Sequence, residues 1–292
     1  MVFDLSQNTK TIVLTGGTSG IGRASALMLA KNQHRVIITS RDEKKAIEVA
    51  SELSSVSGGE VVGYGLSLSE ASSVNEFSKR VKTDFDVIDV LVNNAGTIAG
   101  KERKTVAGIE YTLASNYVGP FALTLSLLPK LKKSNESRVV NLSSELYRNI
   151  KGGLDFGDVN LEKSYSSSKA YAQSKLAIML FTKELVTRYD KNGISSFALH
   201  PGVVKSNFGK GKESSTSMGL MMTVLGPLLK KPEKAALGLL NLIESDLSDL
   251  GKSWYWNQTS ASEPNENVND AAAAARLWEI TEDLARDAGY EI

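Results

Sequence analysis

The stretch TIVLTGGTSGIG, Thr11 to Gly22, decides the fold. Its first half is a short apolar, β-branched run, the composition of a strand covered on both faces. Three glycines, Gly16, Gly20 and Gly22, then carry the chain into the helical pattern of Gly20 to Lys31. Glycine lets the backbone turn tightly and approach a pyrophosphate, and the start of the next helix offers N–H groups without a partner inside the helix. Strand, glycine loop and helix in that order predict a nucleotide phosphate site at Gly16, Thr18, Ser19, Gly20, Ile21 and Gly22.

The alternation continues outward. Runs at Val36–Ser40, Val61–Leu66, Val87–Gly96, Ser137–Ser144 and Ile194–Gly202 read as further strands. Helical text fills Arg41–Leu53, Ala71–Asp84, Ile109–Lys133 and Ala170–Tyr189, and the run Ala271–Ala275 opens a C-terminal helix. Strands alternating with helices predict a single-domain doubly wound Rossmann fold over residues 1–292. Its sheet is expected to be largely parallel, with about seven strands and helices on both faces.

Composition narrows the function. Lys and Arg number 34 against 33 Asp and Glu, so the net charge of +1 provides no field that would draw in nucleic acid. With no cysteine and only His34 and His200, thiolate and three-histidine metal sites are excluded, and no metal is expected. No run reaches the ~18 apolar residues of a membrane-spanning helix, and the N-terminus lacks the pattern of a secretory signal. A cytoplasmic location follows as an expectation. The most apolar segment outside the strands, Met218–Leu229, reads as a buried helix or as a substrate lid around 207–232, with weak peripheral membrane contact as its sharper form.

At the end of the second strand stand Ser40 and Arg41, where a Rossmann site for NAD places an acidic acceptor for the ribose 2′-hydroxyl. A hydroxyl followed by a guanidinium suits a 2′-phosphate, so NADP(H) is expected, with Arg23 as a second cation. The alternative is that Asp42 accepts from the ribose and Arg41 is solvated.

The spacing TGxxxGxG, with NNAG at Asn93–Gly96 and a YxxxK pair further on, resembles the short-chain dehydrogenase/reductase family, in its retinol-dehydrogenase-like and protochlorophyllide-reductase-like branch. The resemblance covers nearly the whole chain. It implies hydride transfer between a nicotinamide and a carbonyl or alcohol. Such chemistry needs an acid for the oxygen, and a lysine four residues after a tyrosine on a helix favours the phenolate. The spelling occurs twice, as Tyr165/Lys169 and Tyr171/Lys175. The second begins the periodic helix, which holds the pair in register, and is preferred; the first is assigned to the surface or the pocket rim.

The resemblance further implies Ser144 as the hydroxyl beside the substrate oxygen, with Ser143 facing the other way, and Asn116 as a fourth catalytic residue that bends its helix. It places Ser67 and the backbone of Leu68 near the adenine, and Asn93, Asn94, Ala95 and Gly96 along the cofactor ribose. Pro201, Gly202, Val204 and Ser206 are expected near the nicotinamide, and His200 as a packed imidazole. The expected partner is a small apolar carbonyl or alcohol, and a homodimer is allowed. A catalytically weak NADP(H)-binding regulator or scaffold on the same fold is the alternative.

Overall fold

Strand β1 (Thr11–Leu14) sends Ile12 and Leu14 to one face of the sheet and Val13 to the other, all fully buried. The same division runs through its neighbours, as expected for parallel strands covered on both sides. The computed structural model describes residues 9–204 and 230–292. The described part of the chain forms one eight-stranded sheet in the order β3-β2-β1-β4-β5-β6-β7-β8. Strands β2 (Arg35–Ser40), β3 (Val61–Gly65), β4 (Val90–Asn93), β5 (Ser137–Leu142) and β6 (Ile194–His200) are parallel to β1, and so is the short β7 (Tyr255–Asn257). The two-residue β8 (Ser260–Ala261) alone runs antiparallel.

One face is packed by helices α3 (Ala71–Asp84), α5 (Gly119–Leu131), α6 (Ser167–Tyr189) and the C-terminal helix Ala271–Asp287, around Val13, Leu91, Val139, Phe121 and Phe181. Trp278 of the C-terminal helix lies edge-on to Phe121, with ring centroids 5.0 Å apart, so that helix closes the outside of α5 and α6. The other face is packed by α1 (Gly20–Lys31), α2 (Glu43–Ser57) and the helix Pro232–Glu244, around Ile12, Ile38, Val92, Val140 and Leu199.

The helices α1 and α3 fall where the periodicity places them, and α6 begins three residues earlier than expected, at Ser167. Ser166 explains that start, because its side chain caps the backbone N–H of Lys169 at 3.2 Å. Lys169 is thus in the first turn of the helix rather than in a loop. The long helix expected over 109–133 is broken into α4 (Tyr111–Leu113), a π turn (Ala114–Val118) and α5. The strands are shorter than their apolar text, since the polar ends of Val87–Gly96 and Ser137–Ser144 leave the ladder. The strand β7 and the helix Pro232–Glu244 were not anticipated. A three-residue strand carries too little pattern to read.

Among the described residues no helix is long and apolar enough to cross a membrane. The expected lid segment Met218–Leu229 and Ser206 lie outside the described residues.

Candidate active site

The strand order reverses between β1 and β4, and the crevice at the carboxyl ends of these strands is where an open α/β sheet binds its ligand. The glycine loop lies there. Gly16 and Gly20 have φ of +72° and +54°, conformations that favour glycine. A Cβ on Gly22 would fall on the carbonyl oxygen of Gly16, so the helix can pass this close only without a side chain. Ser19 is the N-cap of α1, and its side chain makes no capping bond. The helix therefore offers its first N–H groups to an anion, as a pyrophosphate site requires.

Asn94 staples this loop to β4. Its Nδ2 donates to the carbonyl oxygens of Thr15 at 2.7 Å and Gly16 at 3.2 Å. The Thr15 hydroxyl accepts from the backbone N–H groups of Asn94 and Ala95, both at 3.0 Å. Asn93 faces inward instead: its Nδ2 donates to Asn141 at 2.8 Å and Thr124 at 3.1 Å, bracing the centre of the sheet. The NNAG turn thus splits its work between core and crevice.

At the end of β2, Asp42 is the N-cap of α2, accepting from the backbone N–H of Lys45 at 3.2 Å. That carboxylate is engaged in the cap, which disfavours its use as a ribose acceptor. Arg41 is exposed, and its Nη1 donates to the hydroxyl of Tyr111 at 3.4 Å. Arg23 is paired with Glu52 at 2.6 Å, so the second cation expected from the sequence is directed onto α2. At the β3 end, the Ser67 hydroxyl donates to Glu70 at 3.1 Å, while Leu68 is buried and its carbonyl accepts from Tyr290 at 2.9 Å.

The carboxyl end of β5 carries the second cluster. Ser144 and Tyr171 share a hydrogen bond between their hydroxyls. Burial pushes Tyr171 up to about 12, and the bond to Ser144 opposes that shift. Lys175, one turn along α6, places its Nζ 5.6 Å from the Tyr171 ring centroid. Burial pushes Lys175 down to about 8. The ammonium was expected to lower the phenol; burial raises it instead, and the opposing influence is the Ser144 hydrogen bond. Tyr165 lies apart, its hydroxyl donating to the carbonyls of Lys101 at 3.2 Å and Ala99 at 3.4 Å, while Lys169 Nζ donates to Ser164 at 2.9 Å. Two YxxxK pairs thus have different surroundings, and only the second meets Ser144.

Asn116 sits in the π turn, where the extra residue per turn widens the helix. Its Oδ1 accepts from the Thr97 N–H at 2.8 Å, and its Nδ2 donates to the Thr97 carbonyl and to Ser174 Oγ, both at 3.0 Å. Ser174 in turn donates to the Tyr171 carbonyl at 2.8 Å. Ser174 was missed in the sequence, although its place three residues after Tyr171 puts both on one helix face. Ser143, expected to face away, also reaches α6: its hydroxyl donates to the Lys175 carbonyl at 3.4 Å. His200 is half-buried at the end of β6, and burial lowers its affinity for a proton; nearby Glu145 opposes and Lys230 assists. Pro201 is buried, Gly202 has a φ of +84°, and Val204 bridges to Lys230.

Residues 10–216 match the family model of the short chain dehydrogenases. Among curated proteins, retinol dehydrogenase 13 of Mus musculus is 36% identical over 277 residues, covering 92% of this chain and 81% of its own. Retinol dehydrogenase 14 of Homo sapiens is 34% identical over 288 residues, covering 94% and 85%. Among solved structures, an uncharacterized protein from Mycobacterium paratuberculosis superposes with a TM-score of 0.73 at 30% identity, with 97% of each chain covered. A short-chain dehydrogenase from Sphingobium yanoikuyae in complex with NADPH gives 0.67 at 18% identity, with 94% and 95% covered.

Proposed function

The chain belongs to the short-chain dehydrogenase family, and from that premise we propose that it transfers a hydride between NADP(H) and an apolar carbonyl or alcohol, with carbonyl reduction as the favoured direction. The observation that carries the reading is the meeting of Ser144 and Tyr171 above buried Lys175, beside a glycine loop whose helix start is uncapped.

When bound, the nicotinamide supplies or accepts the hydride at the carbonyl carbon. The residues of the chain handle the oxygen. Ser144 donates a hydrogen bond to it. Tyr171, whose raised affinity keeps its proton at neutral pH, delivers that proton to the oxygen as negative charge develops there. Lys175 holds positive charge near the phenol and stabilises the phenolate left behind. Asn116 positions the tyrosine's turn of helix through Ser174.

Binding would place the pyrophosphate on Gly20–Gly22 and the 2′-phosphate beside Ser40 and Arg41. The absence of an acidic residue at position 40 and the engagement of Asp42 in its cap support NADP(H). Relatives named for retinol, a long apolar alcohol, support an apolar substrate.

Turnover of a panel of apolar aldehydes and ketones, with NADPH and NADH in parallel, tests the reading. Reduction faster with NADPH supports it. Cofactor binding without turnover of any carbonyl would favour a regulatory protein on the same fold.

A further inference from the structure

We propose that Tyr111 reads the 2′-phosphate of the cofactor jointly with Arg41, acting as a specificity-determining residue. The inference rests on the NADP(H) reading above. Tyr111 opens the helix after β4, across the crevice from the end of β2, and its hydroxyl accepts from Arg41 Nη1 at 3.4 Å. That bond holds an exposed arginine in one orientation at the end of β2, so less side-chain freedom remains to be lost when the cofactor binds.

The hydroxyl also has something to donate. A phenol has one hydrogen and accepts on its oxygen. Its oxygen takes the Arg41 bond, and among the described residues no acceptor holds its hydrogen. The guanidinium of Arg103 lies over the ring, 4.1 Å from the centroid. A cation on that face fixes the ring's orientation and draws electron density from it, which strengthens the hydroxyl as a donor.

The charge pattern points the same way. Around the adenosine end, Arg23 is matched by Glu52 at 2.6 Å, Arg80 by Glu43 at 2.7 Å and Lys104 by Glu162 at 2.7 Å. Arg41 meets a neutral phenol instead of a carboxylate. A phosphate dianion between the Arg41 guanidinium and the Tyr111 hydroxyl supplies the missing countercharge through charge-assisted hydrogen bonds. Tyr111 and Arg103 both line a cavity of about 640 Å³ at this end, between the start of α3 and the C-terminal Gly289 and Tyr290. Arg41 itself lies outside that lining, so the cavity adjoins Tyr111 from the side of Arg103. Its lining includes Glu70, whose carboxylate accepts from Ser67.

The test measures binding by calorimetry with 2′-phospho-ADP-ribose and ADP-ribose, which carry no nicotinamide, on wild type, Tyr111→Phe and Arg41→Ala. Phenylalanine keeps the ring and its stack on Arg103 and removes only the hydroxyl. Wild type should favour the phosphorylated ligand, and Tyr111→Phe should narrow that preference roughly tenfold. Affinity for ADP-ribose should stay within about twofold. Equal loss on both ligands would make Tyr111 a merely structural residue and overturn the inference, as would an unchanged preference in Tyr111→Phe when Arg41→Ala abolishes it. A wild type that binds the two ligands equally would instead remove the NADP(H) reading underneath.

Discussion

Lys175 Nζ donates a 2.8 Å hydrogen bond to the carbonyl oxygen of Leu142, the last residue of β5. The bond ties α6 to the strand that leads into Ser144, two residues on. It also holds a buried ammonium away from water, with only a neutral carbonyl as its hydrogen-bond partner among the described residues. Burial of that charge works against the fold, a cost the role proposed for Lys175 would offset.

Lys175→Met should abolish turnover and stabilise the protein near neutral pH. The folded-state value of about 8 lies below the ordinary 10.5. Below pH 8 the buried charge costs about 3 kcal/mol. As pH rises from 8 to 10.5 the folded chain gives up the proton while the unfolded chain keeps it, so the penalty fades and is gone above the upper value. Urea melts at pH 7 and pH 10.5 should show the mutant's advantage at the first and little at the second. No gain at pH 7 would mean the ammonium is better solvated than its burial implies.

Tyr171→Phe should lower kcat by roughly a hundred- to ten-thousandfold, the span of general acid catalysis, with cofactor affinity nearly unchanged. Tyr165→Phe should change kcat little, because its hydroxyl is engaged with the carbonyls of Ala99 and Lys101 and with Ser167, away from Ser144. Steady-state kinetics with fluorescence titration of the cofactor checks both. Reversal of the two effects would shift the acid to the first YxxxK pair.

Arg41→Ala should raise KM for NADPH by about ten- to a hundredfold, the loss of a charge-assisted hydrogen bond of ~1.5–3 kcal/mol. KM for NADH should move little. Equal changes would mean that Arg41 does not contact the 2′-phosphate.

Gly119→Ala should destabilise the fold by about 1–3 kcal/mol through overpacking. A Cβ at this position in α5 would fall on the carbonyl oxygen of Leu68, which is backbone and has little room to retreat. If Leu68 flanks the adenine as the family resemblance implies, nucleotide affinity should drop as well. Thermal melts with and without NADPH resolve the two effects. A melting temperature equal to wild type would show that the two segments separate easily.

The order of strands and helices, the glycine loop and the pair Tyr171/Lys175 are properties of local text. Apolar runs of two periodicities report burial, and i,i+4 spacing on a helix fixes which side chains share a face. The sequence alone therefore determined the doubly wound plan and its candidate acid. It could not determine what lies opposite in space. Arg41 and Tyr111 are 70 residues apart, and Asn116 and Ser174 are 58 apart, so their contacts exist only after the sheet has brought β2, α4 and α6 together. Arg23 shows the converse: its position beside the glycine loop suggested a phosphate contact, yet the packing of α1 on α2 turns it to Glu52. The perturbed affinities of Tyr171 and Lys175 are likewise tertiary, because desolvation depends on every element packed around a group and not on its neighbours in the chain.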